Sequence, residues 1–194
     1  MSREEVDVHD CVRCEELCAS RRRIVNGVGP VDADIMFVGE APGETEDREG
    51  KPFVGRSGDV LTTTLRDRGL ARADVRITNC VRCRPPNNRN PTTDELANCR
   101  SYLETEIEAV DPVVVVALGK VPTEHLLERS VAVSAEAGTV SDVRIGGTPR
   151  RVLVCVHPAA TLYDPNQVDR FEAAIDAAVD LVEDTGDQSR LGEF

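Results

Sequence analysis

The spacing CVRC occurs twice, at Cys11/Cys14 and at Cys80/Cys83, and a further cysteine, Cys99, follows with 15 residues between it and Cys83. Thiolates spaced in this way are metal donors. Two CxxC knuckles suit a tetrahedral four-cysteine zinc site, whereas Cys11, Cys14, Cys83 and Cys99 suit an iron-sulfur cluster, which also takes four thiolates. Spacing alone leaves both open. A thioredoxin-like dithiol role fits less well, because five placed cysteines exceed what thiol exchange needs.

A second set of residues is polar and lies apart from the thiols. Glu40 falls in GEAPGETED, Asn79 in ITNC and His157 in HPAATL. A carboxamide offers both a donor and an acceptor to the edge of a flat heterocycle, with a carboxylate and an imidazole close by to handle charge and protons. Phe53, one of four phenylalanines, can stack on such a ring. Taken singly these residues have plainer uses: a strand-end Asn caps turns, a His before Pro bonds nearby backbone, and Glu46 can belong to a solvated acidic loop. What matters is whether they meet.

The elements that must position them alternate. Apolar runs at Asp34 to Val38, Val75 to Thr78, Val113 to Leu118 and Val152 to Val156 read as buried strands. Between them, Gly58 to Gly69, Thr92 to Val110 and Pro122 to Arg129 read as helices, so the order predicts a parallel sheet covered by helices. Pro91 and Thr92, with Glu95 three residues on, resemble a capping box. Gly138 to Pro149 reads as a hairpin at the sheet edge, and the apolar set from Val168 to Val182 as a last amphipathic helix. This gives one domain over residues 1–183, with a polar, disordered tail at 184–194.

In this scheme Glu40, Asn79 and His157 stand at the carboxyl ends of three parallel strands, where α/β sheets bind ligands. The segment Gly39 to Gly58 has five glycines, two prolines and five acidic residues, far more than a tight turn needs. It carries neither GxGxxG nor GxxxxGK[ST], so nucleotide-binding fingerprints are missing.

Composition bounds the setting. The chain has 194 residues, no apolar run long enough to span a bilayer, and a charged N-terminus, MSREEVDVHD, which points to a cytoplasmic protein without membrane contact. Acidic residues number 35 against 23 basic, for a net charge of −12, and Lys51 and Lys120 are the only lysines. That balance argues against generic polyanion binding and suggests a salt-adapted source, where screening shortens charge repulsion. Basic charge concentrates near the cysteines, in Arg21, Arg22 and Arg23 and in Arg82, Arg84 and Arg89, as candidate phosphate contacts.

GEAPGETED with KPFVG, then ITNCVRCRPPNNR, the strand VVVVALG and HPAATL resemble, in order, the motifs of the family 4 uracil-DNA glycosylases. The match covers roughly Cys11 to Leu162. The resemblance implies the three-layer α/β/α fold of that superfamily, here with a central, mainly parallel four-stranded sheet. It implies a 4Fe-4S cluster held by Cys11, Cys14, Cys83 and Cys99, with Cys80 taking no part. Cys18 is extra to the pattern, and Cys155, inside a strand, reads as core. The implied activity is hydrolysis of the N-glycosidic bond of deoxyuridine in single- and double-stranded DNA by a monomer. Asn79 would read the uracil edge, Phe53 stack beneath it, His157 and backbone N–H groups near Ala41 support the developing charge, and Glu40, or secondarily Glu46, position the water. A related branch captures uracil through a histidine after the Asn strand, but RPPNNRNPTTDE has none. The rival from another class is a non-catalytic nucleic-acid-binding module with a four-cysteine metal site, which would leave GEAPG, Asn79 and HPAA without a use.

Overall fold

The structure, a computed structural model, describes residues 6–191 and the side chains of 6–185. Five strands form one sheet: β1 (Ile35–Gly39), β2 (Arg76–Asn79), β3 (Val114–Leu118), β4 (Val140–Ile145) and β5 (Thr148–Cys155). Their order across the sheet is β2-β1-β3-β5-β4. β1, β2, β3 and β5 are parallel, and β4 returns antiparallel against β5. The sheet therefore has five strands rather than four. The fifth is the first arm of the expected hairpin, whose two-residue Gly146–Gly147 turn needs positive φ at both positions (58° and 84°).

Helices α1 (Glu15–Ser20), α2 (Glu44–Glu49), α3 (Arg56–Arg66), α4 (Thr93–Val110), α5 (Lys120–Leu127), α6 (Val133–Glu136) and α7 (Asn166–Leu191) surround the sheet. The central strands are buried on both faces, which is why β3 reads as an unbroken VVVAL. Alternate residues feed two cores. Ile35, Phe37, Val114, Val116, Leu153 and Cys155 pack with Leu61, Leu65, Phe171 and Ile175 from α3 and α7. Met36, Val38, Val115, Ala117 and Val152 pack on the other side with Leu103, Ile107 and Leu126 from α4 and α5. This is the three-layer α/β/α arrangement.

Thr92 caps α4 as expected, its hydroxyl accepting from Glu95 N–H at 3.2 Å while the Glu95 carboxylate accepts from Thr92 N–H at 2.8 Å. α7 continues past Asp184 to Leu191, so the polar segment given to a tail extends the helix, whose backbone bonds need no apolar face; residues 192–194 lie outside the described ones. Among the described residues no helix is long and apolar enough to cross a membrane.

An N-terminal arm closes over β2. Val28 and Ile77 exchange backbone hydrogen bonds at 2.9 and 2.8 Å, and Val25 N–H reaches Arg82 C=O at 2.7 Å. Beneath the arm lies a buried charge triad. Glu106, fully buried, accepts from Arg76 Nε at 2.7 Å, and from Arg82 Nη2 and Thr78 Oγ1 at 2.8 Å each. One carboxylate thus holds two guanidinium groups from β2 and its continuation. Breaking such a group leaves unpaired buried charge, at a cost of about 3–5 kcal/mol.

Candidate active site and cysteine corner

The parallel strands end on one edge, and four of them contribute. β1 runs into Glu40 and Ala41, β2 ends at Asn79, β3 is followed by Gly119, and β5 leads into His157. The β2-β1-β3 order makes a topological switch at β1, the place where α/β sheets open a crevice. A cavity of about 180 Å³ lies there, lined by Ala41, Gly43, Glu46, Phe53, Ser57, Asn79 and His157. That is smaller than the roughly 300–1,000 Å³ of drug-sized pockets and leaves room for a small ligand only. A larger open groove of about 840 Å³ runs along Val28 to Asp32, Lys51 and Arg72, but lacks this convergence of polar groups.

Asn79 is 3% exposed, and its Oδ1 has no hydrogen-bond partner among the described residues. A buried amide oxygen left free is costly unless something else completes it. Gly39 explains how it fits: a Cβ at that position would lie 2.4 Å from Asn79 Oδ1 and 2.5 Å from Phe53 Cε2. Phe53 is buried, has a left-handed φ of 52°, and sets its ring 5.9 Å from the His157 ring at an interplanar angle of 32°.

His157 caps the 3-10 turn Pro158–Leu162, its Nδ1 accepting from Ala159 N–H at 3.1 Å. That bond leaves Nε2 carrying the hydrogen, so the ring is a neutral donor. Burial pushes its pKa down to about 4, opposed by the Glu46 carboxylate. Gly119, with φ 99°, lets the backbone after β3 pass against the imidazole; a Cβ there would lie 3.1 Å from His157 Cβ.

The two glutamates differ. Glu46 lines the cavity, but its Oε1 accepts from Val54 and Gly55 N–H at 3.0 and 2.9 Å and its Oε2 from Gly43 N–H at 3.1 Å. It ties the long loop together. Glu40 is half-buried beside the lining residue Ala41; among the described residues no donor reaches its carboxylate, and burial raises its pKa. Ser57, at the start of α3, lines the cavity and was not singled out from sequence. Its only signal was its place in the glycine-rich loop.

The cysteines gather at another corner. Arg21 Nη1 donates to Cys83 Sγ at 3.0 Å, Arg21 Nη2 to Cys11 C=O at 2.6 Å, and Asn98 Nδ2 to Cys14 Sγ at 3.5 Å. Cys99 faces the Arg82 backbone N–H and lies within electrostatic reach of Cys83 and Cys11. Cys18 joins the group, its Sγ 3.5 Å from Cys11 C=O. Burial lifts the Cys83 thiol and takes Cys99 to about 11, so a metal is what would draw thiolates from them. Among the described residues no three Cys, His, Asp or Glu side chains are grouped closely enough to hold a single ion. Five thiols come to this corner, three of them facing N–H donors, a donor set whose chemistry fits the four thiolates of a cluster. Cys80 points elsewhere, into the core with Met36 and Leu103, so the second CVRC is not a symmetric knuckle.

Of the six arginines expected to meet phosphate, four have partners within the fold. Arg82 is 2% exposed and committed to Glu106, and Arg89 pairs with Glu95 and Glu16 at 2.8 Å each, so neither is free to meet phosphate. Arg21 serves the cysteines, and Arg84 bonds Asn88 Oδ1 at 2.7 Å. Arg22 and Arg23 keep exposed side chains.

A three-layer α/β/α fold with this cavity at its strand ends defines an α/β protein whose polar-lined pocket lies at the carboxyl edge of a parallel sheet. The family model described as "Uracil DNA glycosylase superfamily" matches residues 26–181, and the chain belongs to that superfamily. Among its relatives are the Type-4 uracil-DNA glycosylases of Archaeoglobus fulgidus (40% identical, covering 86% of this chain and 85% of the relative), Saccharolobus solfataricus (43%; 82% and 76%) and Thermotoga maritima (43%; 80% and 79%). Within the superfamily it sits with the type-4 branch.

Proposed function

We propose that this protein is a DNA-repair hydrolase that cleaves the N-glycosidic bond of deoxyuridine in single- and double-stranded DNA, releasing uracil and leaving an abasic site. The observation that carries this reading is the free, buried Asn79 Oδ1 in a base-sized cavity beside a neutral imidazole. The relatives' names support it.

With the nucleotide flipped, Asn79 Oδ1 accepts uracil N3–H and its amide donates to O4, a pattern that cytosine, with its N3 acceptor and exocyclic amine, cannot match. Phe53 stacks on the ring. As the glycosidic bond breaks, charge develops on uracil O2, and the Nε2–H of neutral His157 donates to it. Such preorganised donors in a dry site are worth several kcal/mol. The backbone N–H of Ala41, which no described acceptor takes, adds a second donor. Glu40, half-buried and unpartnered, holds the water and balances the cationic sugar, while Glu46 holds the loop.

Cys11, Cys14, Cys83 and Cys99 would hold the 4Fe-4S cluster, whose contribution is a cross-link joining the arm to the loop after β2 and to α4. Arg22 and Arg23, exposed beside that corner, supply phosphate contacts. The protein acts as a monomer. The test is incubation of the purified protein with a uracil-containing oligonucleotide at low and high salt. Alkali-sensitive abasic product is expected, and its absence at both salts would sink the proposal.

A further inference from the structure

Phe53 has a neighbour that sequence motifs do not mark. Its left-handed backbone, φ 52°, turns its carbonyl onto the start of α3, where a Cβ at Gly58 would come within 1.8 Å of that oxygen. A residue other than glycine holds such a conformation only when its surroundings impose it. The side chain that imposes it comes from the turn Ala71–Asp74, closed by Asp74 N–H to Ala71 C=O at 3.0 Å and Ala71 N–H to Asp74 Oδ2 at 2.7 Å. From that turn Arg72 reaches back. Its Nη1 donates to Phe53 C=O at 2.9 Å and to Thr62 Oγ1 at 3.3 Å, and its Nη2 donates to Pro52 C=O at 2.8 Å.

One guanidinium fork thus receives two consecutive carbonyls and fastens them to α3 through Thr62. Among the described residues no carboxylate forms an ion pair with Arg72; Asp59 and Glu46 act on it only at longer range. Its donors are directed at backbone, which distinguishes it from a phosphate-binding arginine. The planar fork matters because an ammonium presents a point charge and cannot hold two carbonyls in one fixed geometry.

We infer that Arg72 is a positioning residue for base recognition: by locking the Pro52 and Phe53 carbonyls it fixes the Phe53 ring against Asn79 and His157. This rests on the excision reading for its effect on activity but not for its effect on the loop. Loosening the ring by about 1 Å is enough to cost roughly 100-fold in rate. Arg72→Met is expected to lower kcat/KM for a uracil oligonucleotide by about 10- to 100-fold, with Arg72→Lys between it and the parent.

The deciding experiment is a double-mutant cycle with Phe53→Ala, read alongside amide hydrogen exchange. If Arg72 acts through Phe53, Arg72→Met changes kcat/KM less than about threefold once Phe53 is gone, and exchange quickens at residues 52–58 only. Equal losses in both backgrounds, or faster exchange spread over the whole sheet, would overturn the inference in favour of general stabilisation. Should the parent protein excise no uracil, the excision reading fails, and the exchange result alone decides whether the clamp exists.

Discussion

Gly39→Ala places one methyl group where the proposed recognition site has no room. The added Cβ would lie 2.4 Å from Asn79 Oδ1 and 2.5 and 2.6 Å from Phe53 Cε2 and Cζ. Favourable carbon contacts sit near 3.5–4.0 Å, so something must move by about 1 Å. Neither neighbour can yield freely: Asn79 is 3% exposed at the end of β2, and Phe53 is packed into the core with Leu61 and Val156. Overpacking of this kind costs about 1–3 kcal/mol of stability, and a displacement near 1 Å in a positioning group costs roughly 100-fold in rate. Single-turnover excision on a uracil oligonucleotide should show that loss, while a urea melt shows a folded protein with a lower midpoint. A variant within threefold of the parent rate would refute the claim that Asn79 and Phe53 act from their present positions.

Three further outcomes are expected. Glu40→Gln should lower kcat at least 100-fold with little change in urea midpoint, whereas Glu46→Gln should lose about 1–3 kcal/mol of stability because three backbone N–H groups lose a charged acceptor; the reverse pattern would exchange their roles. Burial holds His157 at about 4, so it is neutral in the fold and titrates near 6.5 once unfolded. Its contribution is undiminished above pH 6.5 and becomes a penalty as pH falls towards 4, up to about 3 kcal/mol, measurable as urea midpoints at pH 7.5, 6 and 4.5; an excision profile with an acid limb near 6.5 that vanishes in His157→Asn would contradict the neutral-imidazole assignment. Cys83→Ser should abolish a broad thiolate-iron absorption near 400 nm while Cys80→Ser keeps it, since Cys80 lies in the core and Cys83 faces Arg21.

Strand positions and the Thr92 cap were legible because both are local: apolar runs mark buried strands, and a capping box needs only four residues. The gathering of Asn79 and His157 was also legible, since parallel strands bring their carboxyl ends to one edge whatever the intervening sequence. Glu106 was not. Nothing in a helix reading TEIEAV says that one glutamate will face two arginines, because the pairing depends on which face of α4 meets β2. For the same reason Arg82 looked like a surface cation, although its side chain turns inward. Arg72 escaped notice because its partners are backbone carbonyls, which leave no trace in side-chain patterns. Glu46 looked like part of a solvated acidic loop until the short helix α2 turned its carboxylate inward.

The bridge between Val28 and Ile77 also bears on how the protein behaves when damaged. β2 is the outermost strand on its side of the sheet, and the arm lies along its open edge. An uncovered strand edge is a template for pairing with another chain. The arm leads directly from the cysteine corner; if the proposed cluster ties Cys11 and Cys14 to Cys83 and Cys99, oxidation or chelation that frees them would also loosen the cover on β2. Loss of the proposed cluster would then show first as self-association of whole molecules, turbidity and mass gain, before the sheet itself unfolds.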